Sequence, residues 1–476
     1  MPNLDAAMGA DPLSVEAEPA IRRASLPRRA LWTGTALIHR RRERRMPFAS
    51  QKELDRWQRR RLRRIVGHAY LHVPYYRETM RKLGLTPEDL GSAPDLAKLP
   101  LIEREQLQRD PEYFVSESCD RASCLVLRSG GSTSEPVTVL QAPTEVTEKG
   151  AVSSRVRPII ARLSSRRWRR RMVRIGPPMS SGARFARAYS RNLIVPFAPD
   201  TVSMRLSMQR TVAENQAAID DFRPEVITGF GSYVEELFTH AVHSGRPFHR
   251  PKVVVYGADS LSSRARQLLS EQLGIEVLSV YQAIESPQIG FECERHRGHH
   301  LNMDLCPVRI VDGDGRELPP GEPGDVVISN LMNRTTVLLN YRLGDVAEML
   351  EEPCDCGRTL PLLSYVQGRT ADWGVGKDGR RLHTQLLIRP FSLDPEIWGY
   401  RLEQRAAGSF HAQVLTAPGA DPASVTARVR ERSARILGPD QEVTLSFVDA
   451  LPRTRSAKVR RVSRSAAGEE GVSKRD

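Results

Sequence analysis

Leu125-Val126-Leu127-Arg128-Ser129-Gly130-Gly131-Ser132-Thr133-Ser134-Glu135-Pro136 runs from a short apolar segment directly into small and hydroxylated residues. The first part reads as a strand and the second as a loop. Glycines let a backbone approach an anion closely, backbone N–H groups can point inward, and Ser/Thr hydroxyls add donors, so such a loop suits phosphate. It is not a Walker loop, because no Gly-Lys-Ser/Thr follows. A surface turn has much the same composition, so the reading depends on what surrounds it.

Downstream, apolar bursts at 253–255, 277–280 and 326–328 are short and mostly β-branched. Helical patterns at 212–222, 234–242 and 263–273 lie between or beside them. Strands alternating with helices predict an α/β architecture. Upstream, Leu54, Trp57, Leu62, Ile65, Val66 and Ala69 recur mostly at three- and four-residue steps, which predicts a helix from Gln51, interrupted at Pro74. Beyond Asp372 the pattern is mixed, with a helix at 422–437 between apolar runs at 411–415 and 443–448, and reads as a small α+β lobe. Residues 1–48 mix Ala, Pro and Arg without sustained periodicity and are expected to be a poorly ordered basic segment. The expected division is therefore 1–48, a large domain at 49–371 and a small C-terminal lid at 372–476.

A chain of 476 residues exceeds the roughly 250–300 that one core supports, so more than one domain is required. The formal charge of +14 is concentrated at Arg40–Arg45, Arg59–Arg64 and Arg166–Arg171. Aromatic residues make up only 6%, which argues against stacking on single-stranded nucleic acid and for solvated basic faces. Neither a specific nucleic acid nor a membrane is expected as a partner; a homodimer is left open. No uninterrupted apolar stretch reaches the ~18 residues of a membrane span. The N-terminus lacks a basic start followed by an apolar run, so a cytoplasmic location is expected.

Further motifs follow the loop. They are Gly229-Phe230-Gly231-Ser232-Tyr233, Tyr256-Gly257-Ala258-Asp259-Ser260-Leu261, Tyr281-Gln282-Ala283-Ile284-Glu285, Tyr341-Arg342-Leu343-Gly344-Asp345, Gly368-Arg369-Thr370-Ala371-Asp372 and Pro452-Arg453-Thr454-Arg455-Ser456-Ala457-Lys458. In this order, over residues 50–465, they resemble the adenylate-forming (AMP-binding) superfamily, and Val73-Pro74-Tyr75-Tyr76-Arg77 with Leu99-Pro100-Leu101 resembles its phenylacetate–CoA ligase-like members. The resemblance implies an ATP-dependent enzyme that converts a carboxylic acid, aryl or arylacetic, to an acyl-adenylate and passes the acyl group to a thiol, with coenzyme A as the expected co-substrate.

Joining a carboxylate to an α-phosphate brings two anions together, so cationic and hydrogen-bonding groups must converge on the transferring centre. The resemblance places Ser129, Gly130, Gly131, Ser132 and Thr133 on phosphate. It makes Glu285 the Mg²⁺ carboxylate and puts Tyr281, Gln282, Gly257, Ala258 and Asp259 around adenine. Asp345 falls on the ribose diol, which a carboxylate suits as an acceptor, and Arg369 gives a further nucleotide contact. Lys458 bridges carboxylate and α-phosphate, and Asp372 is the hinge. Phe230, Tyr233 and Tyr256 are the candidate pocket wall.

The pattern also departs from the family. Ser134, Gln282, Ile284, Leu343 and Ala457 replace the usual Gly, Gly, Thr, Thr and Gly. Two rivals follow: transfer of the acyl group to a carrier-protein thiol or an amine, and a catalytically degenerate basic binding protein.

Cys354-Asp355-Cys356-Gly357 is a tight Cys-x-Cys-Gly turn, and Cys293 lies upstream with His296, His299 and His300 close behind. Three cysteines and one histidine make the closed tetrahedral set that zinc prefers. The spacing leaves the histidine open. Alignment with the Gly-Leu-His-Leu/Ile of the resembling proteins selects His300, and the ion implied is structural Zn²⁺.

Overall fold

The computed structural model describes residues 24–129, 136–164, 169–177, 180–194, 200–286, 288–366, 368–369, 374–382, 384–417, 419–448, 451 and 462–464. Among them, nine strands form one sheet. Its parallel half runs Thr201–Ser207, Arg170–Gly176, Val226–Phe230, Val253–Gly257 and Glu276–Tyr281. Val226, Val253, Val254, Val277 and Leu278 are at most 1% exposed, as expected of parallel strands covered on both faces. Beyond Tyr281 the sheet turns antiparallel through Gly290–Glu292, His299–Leu301, Leu362–Leu363 and Met349–Leu350. A second sheet joins Val308–Val311, Gly324–Ile328, Tyr341–Ala347 and Gly368–Arg369.

Helices close over these sheets. Helix α1 spans Leu26–Arg45, α2 spans Gln51–His72 and α3 spans Pro74–Leu83. The Ser50 hydroxyl opens α2 by accepting from the Glu53 amide at 3.3 Å. Val73, extended at φ −115° before Pro74, ends it. Leu62, Ile65, Val66 and Ala69 are at most 1% exposed, the face that the periodicity specified.

Helix α1 corrects the expectation of a poorly ordered segment over 1–48; residues 1–23 lie outside the described residues. The attachment of α1 is largely polar, with Ala36 alone in an apolar cluster, so no apolar period announces it. Its buried side carries Thr33, Ala36 and Glu43. The Arg155 guanidinium, itself fully buried, donates to Glu43 Oε2 from Nε (2.8 Å) and Nη2 (2.5 Å), and to both oxygens of Asp304 at 2.8 Å. Arg61 on α2 reaches the same Asp304 at 2.6 Å. Burial alone would raise the Glu43 pKa, but Arg155 and Arg61 outweigh it and hold the carboxyl ionised.

The C-terminal unit has its own core. Leu382, Leu387, Phe391, Phe410, Val414, Val425, Val429 and Val462 pack with one another across a mixed sheet of Glu442–Phe447, Ser409–Thr416, Ile397–Ala406 and Val462–Arg464. It meets the large body where the Arg264 guanidinium donates to the carbonyls of Asp394 (2.6 Å), Pro395 (2.5 Å) and Ile397 (2.8 Å). Beside that contact, the Trp398 and His243 rings lie 3.8 Å apart.

Candidate active site

Three adjacent parallel strands end at one edge of the large sheet. The register pairs Phe230 with Gly257 and Gly257 with Val280, one residue before Tyr281. Carboxyl ends of parallel strands are where open α/β sheets bind ligands, because the connecting loops splay apart there. Gly257 is required at this edge, since a Cβ would stand 2.9 Å from the Val280 carbonyl. Ala258 then turns through a left-handed φ of +68°.

Tyr281 is 7% exposed, and its hydroxyl donates to Asp345 Oδ2 at 2.8 Å. Asp345 pairs in register with Arg369 on the neighbouring strand. Glu285 follows in the turn after Tyr281 and is 4% exposed. Its Oε1 accepts from the Tyr341 hydroxyl at 3.3 Å and faces Arg104 Nη1 at 3.7 Å, while its backbone carbonyl accepts from Asn330 Nδ2 at 2.7 Å. Burial, reinforced by the charge of Glu285, raises the Tyr341 pKa, so the phenol stays a donor.

Arg104 also donates to Ser129 Oγ at 3.0 Å. Ser129 closes the base of the glycine-serine loop: its amide donates to the Val137 carbonyl at 2.9 Å, and its hydroxyl accepts from the Val137 amide at 2.8 Å. The flanking strands Leu125–Arg128 and Thr138–Gln141 form an antiparallel hairpin. One guanidinium therefore ties the loop base to Glu285. Sequence reasoning missed Arg104, one arginine among many. It also passed over Tyr341 and Asn330, although Tyr341 opens the Tyr-Arg-Leu-Gly-Asp motif.

The other candidates divide. Phe230 is half-buried, and its ring fills the space that a Cβ at Gly176 would meet at 3.4 Å. Tyr256 accepts from Arg266 Nη2 at 3.1 Å. Tyr233, placed on the pocket wall from sequence, is instead a core residue: it is 1% exposed, and its hydroxyl accepts from the buried Asn215 amide at 2.6 Å. Asp259 accepts from the Ser232 amide (3.2 Å) and hydroxyl (2.5 Å), tying it to the first turn of helix Gly231–His243. Gln282 is exposed beside Gly257. Gly130, Gly131, Ser132, Thr133, Asp372 and Lys458 lie outside the described residues, and Arg369 is described in its backbone alone.

Behind this edge, Cys293, His300, Cys354 and Cys356 converge, with their ligand atoms all within 4.8 Å of one another. Cys293 Sγ lies 3.7 Å from Cys354 Sγ, and Cys356 Sγ lies 3.3 Å from His300 Nε2. His300 Nδ1 faces the Leu360 carbonyl at 3.3 Å, which places the ring proton there and leaves Nε2 as a lone pair. Burial lowers the His300 pKa to about 4, so the ring is neutral. Backbone amides of Arg295 and Arg358 point at Cys293 and Cys356 sulfurs at 3.4 and 3.5 Å. Burial would raise the Cys356 pKa, but the Arg358 amide and guanidinium outweigh it and favour the thiolate. The two rival histidines bond elsewhere: His299 faces Ser279 Oγ at 2.9 Å and His296 faces Glu292 at 2.8 Å. The donor set fits a tetrahedral ion.

No family model matches the chain. It is similar to the phenylacetate-coenzyme A ligase of Thermus thermophilus, 25% identical over 446 residues that cover 87% of this chain and 96% of that protein. It is similar to the phenylacetate-coenzyme A ligase of Escherichia coli, 24% identical over 427 residues that cover 85% of this chain and 94% of that one. Among solved structures, 2-hydroxyisobutyryl-CoA ligase in its postadenylation state matches with a TM-score of 0.72 at 17% identity, covering 89% of this chain and 92% of that one. Over most of its length the chain is thus similar to phenylacetate-coenzyme A ligases. The fold agrees with that likeness: an α/β body with a smaller α+β unit. The same 2-hydroxyisobutyryl-CoA ligase in its thioesterification state matches less well, at 0.58 over 88% of this chain and 92% of that one.

Proposed function

We propose that this phenylacetate–CoA ligase-like chain activates a carboxylic acid with ATP, forming an acyl-adenylate and pyrophosphate, and then transfers the acyl group to the thiol of coenzyme A. One observation carries the reading: Arg104 joins Ser129, at the base of the candidate phosphate loop, to Glu285, at the strand edge that also presents Tyr281 and Asp345.

In this reading the carboxylate attacks the α-phosphorus and pyrophosphate leaves. Asp345 accepts from the ribose hydroxyls, oriented by Tyr281. Glu285 holds Mg²⁺, which when bound neutralises phosphate charge. Arg104 supplies a fixed positive charge beside both. Lys458, a compact cation on a flexible stem, is brought between carboxylate and α-phosphate by the small lobe. The proposed lobes are 49–371 and 372–476, hinged at Asp372, and rotation after adenylation opens the site to the thiol. Phe230 and Tyr256 at the strand edge favour an aryl acid. Cys293, His300, Cys354 and Cys356 hold a structural Zn²⁺: four protein donors leave no open position, so the ion staples the strand to the Cys-x-Cys turn.

The test is pyrophosphate release across a panel of aryl and alkyl acids, with wild type and Lys458→Ala. The expected result is release with at least one acid, at least about 100-fold slower in the variant. Full activity in Lys458→Ala removes that side chain from the mechanism. No release with any acid favours a non-catalytic binding protein, and an amide product with an added amine would move the acceptor away from coenzyme A.

A further inference from the structure

Helix α1 has two unlike sides. At 100° per residue, Thr33, Ala36 and Glu43 fall on one side and are buried. The outward side carries Pro27, Ala30, Leu31, Gly34, Leu37 and Ile38, all exposed. Leu31 and Ile38, two turns apart on the same line, are 68% and 70% exposed. An apolar stripe on a helix that already has a buried side is not core packing, and contiguous exposed apolar surface marks an interaction site.

The same outward side continues into Arg41 and Arg45, and Arg44 lies next to them in the chain, all three exposed. Beside them on α2, Arg56, Arg59, Arg60 and Arg63 line a cleft of about 420 Å³. The two helices meet here: the guanidiniums of Arg42 on α1, which also pairs with Glu43, and of Arg60 on α2 both lie over the Trp57 ring, at 4.8 and 5.4 Å. None of these seven exposed arginines has a carboxylate partner among the described residues.

We propose that the outward face of α1, together with the arginine cleft of α2, docks on an anionic lipid surface. The occupant must satisfy both halves of the patch. A second copy of the chain brings the same arginines and is repelled by them. A nucleic acid satisfies the arginines but leaves Leu31, Leu37 and Ile38 in water, and the Trp57 ring is already covered by arginine. Anionic headgroups over acyl chains satisfy both. An exposed apolar stripe beside a polybasic patch adds apolar burial to electrostatic attraction, the two contributions that hold a helix on an anionic lipid surface. Among the described residues no helix is long and apolar enough to cross a membrane, so α1 lies on the surface. The proposal departs from the expectation, drawn from composition, of no membrane partner.

Co-sedimentation of the full chain with vesicles of phosphatidylcholine alone, or mixed with phosphatidylglycerol, tests it. The proposal predicts binding to the mixed vesicles alone, weakened by added salt. Leu31→Ser with Ile38→Ser, and separately Arg56→Gln with Arg60→Gln, should each lower the partition coefficient by about tenfold. All four positions are exposed, so circular dichroism should match wild type. Three results would overturn the proposal: no binding to the mixed vesicles; binding that ignores the Leu31/Ile38 pair and is matched by duplex DNA; or a dimer in lipid-free solution that the Leu31/Ile38 pair dissolves.

Discussion

Tyr281 and Asp345 lie 64 residues apart in sequence and meet through a 2.8 Å hydrogen bond from the phenol to Oδ2. The two residues come from different sheets, so the bond ties the sheets together at the carboxyl edge of the parallel strands. It fixes one carboxylate oxygen and orients the other.

Replacing Tyr281 with phenylalanine keeps the ring and removes that donor. A hydrogen bond to a charged group contributes about 1.5–3 kcal/mol, so affinity for an ATP analogue should fall by about 10- to 100-fold. Calorimetric titration of nucleotide, beside the KM for the acid, checks this. The KM for the acid should change little.

Arg104 reaches both Ser129 and Glu285. Arg104→Ala should slow pyrophosphate release by about 100-fold, in keeping with loss of one preorganised charge at a transferring phosphoryl centre. Arg104→Lys should recover part of the rate, because a point charge without the fork can reach one partner but not both. Rate and thermal midpoint measured together separate a catalytic loss from unfolding.

The Cys293, His300, Cys354 and Cys356 set predicts one bound zinc per chain, measured by plasma emission spectrometry of protein purified without added metal. Cys354→Ser should abolish it and lower the thermal midpoint, since metal binding here is folding energy. Zinc at full occupancy in the Cys354→Ser variant would remove the assignment.

The Glu43–Arg155–Asp304 cluster sets a pH dependence. Burial raises the Asp304 pKa, but Arg155 and Arg61 outweigh it and leave it below its ordinary value. A lowered folded pKa adds stability that is fully present above the unfolded value of about 3.9 and is lost as pH falls through the folded one. Stability followed by urea unfolding should therefore be flat near neutrality and decline below about pH 4. Asp304→Asn leaves Arg155 and Arg61 short of a counter-charge in a buried site and should cost about 3–5 kcal/mol at neutral pH. The variant should also show a shallower acid decline.

Much of this was legible in the sequence where burial leaves a pattern. Strands Val253–Gly257 and Glu276–Tyr281 read as β-branched runs because both faces are covered. Helix α2 read as a period because one side faces the core. The cysteine pair was legible because a Cys-x-Cys-Gly turn has few other uses. Spacing alone left the histidine open and alignment chose His300, because His299 and His300 sit next to each other on one strand, and only the alternation of its faces sends one to Ser279 and the other to Cys356. Helix α1 was illegible for a different reason: its buried side is held by a glutamate, which no hydrophobic period reports. Arg104 was hidden because charge in sequence does not say which arginine turns inward. Tyr233 was misread because a tyrosine in a conspicuous motif can have a buried hydroxyl satisfied by a neighbour such as Asn215.

The central claim is that a carboxylate oxygen attacks the α-phosphorus of ATP on this strand edge. Incubating the protein with ATP and a turned-over acid labelled with ¹⁸O in its carboxylate, then analysing the released AMP by mass spectrometry, tests it directly. The account predicts AMP carrying a single ¹⁸O and unlabelled pyrophosphate, with labelling lost in Glu285→Gln. Release of ADP and phosphate, or AMP without label, would contradict it.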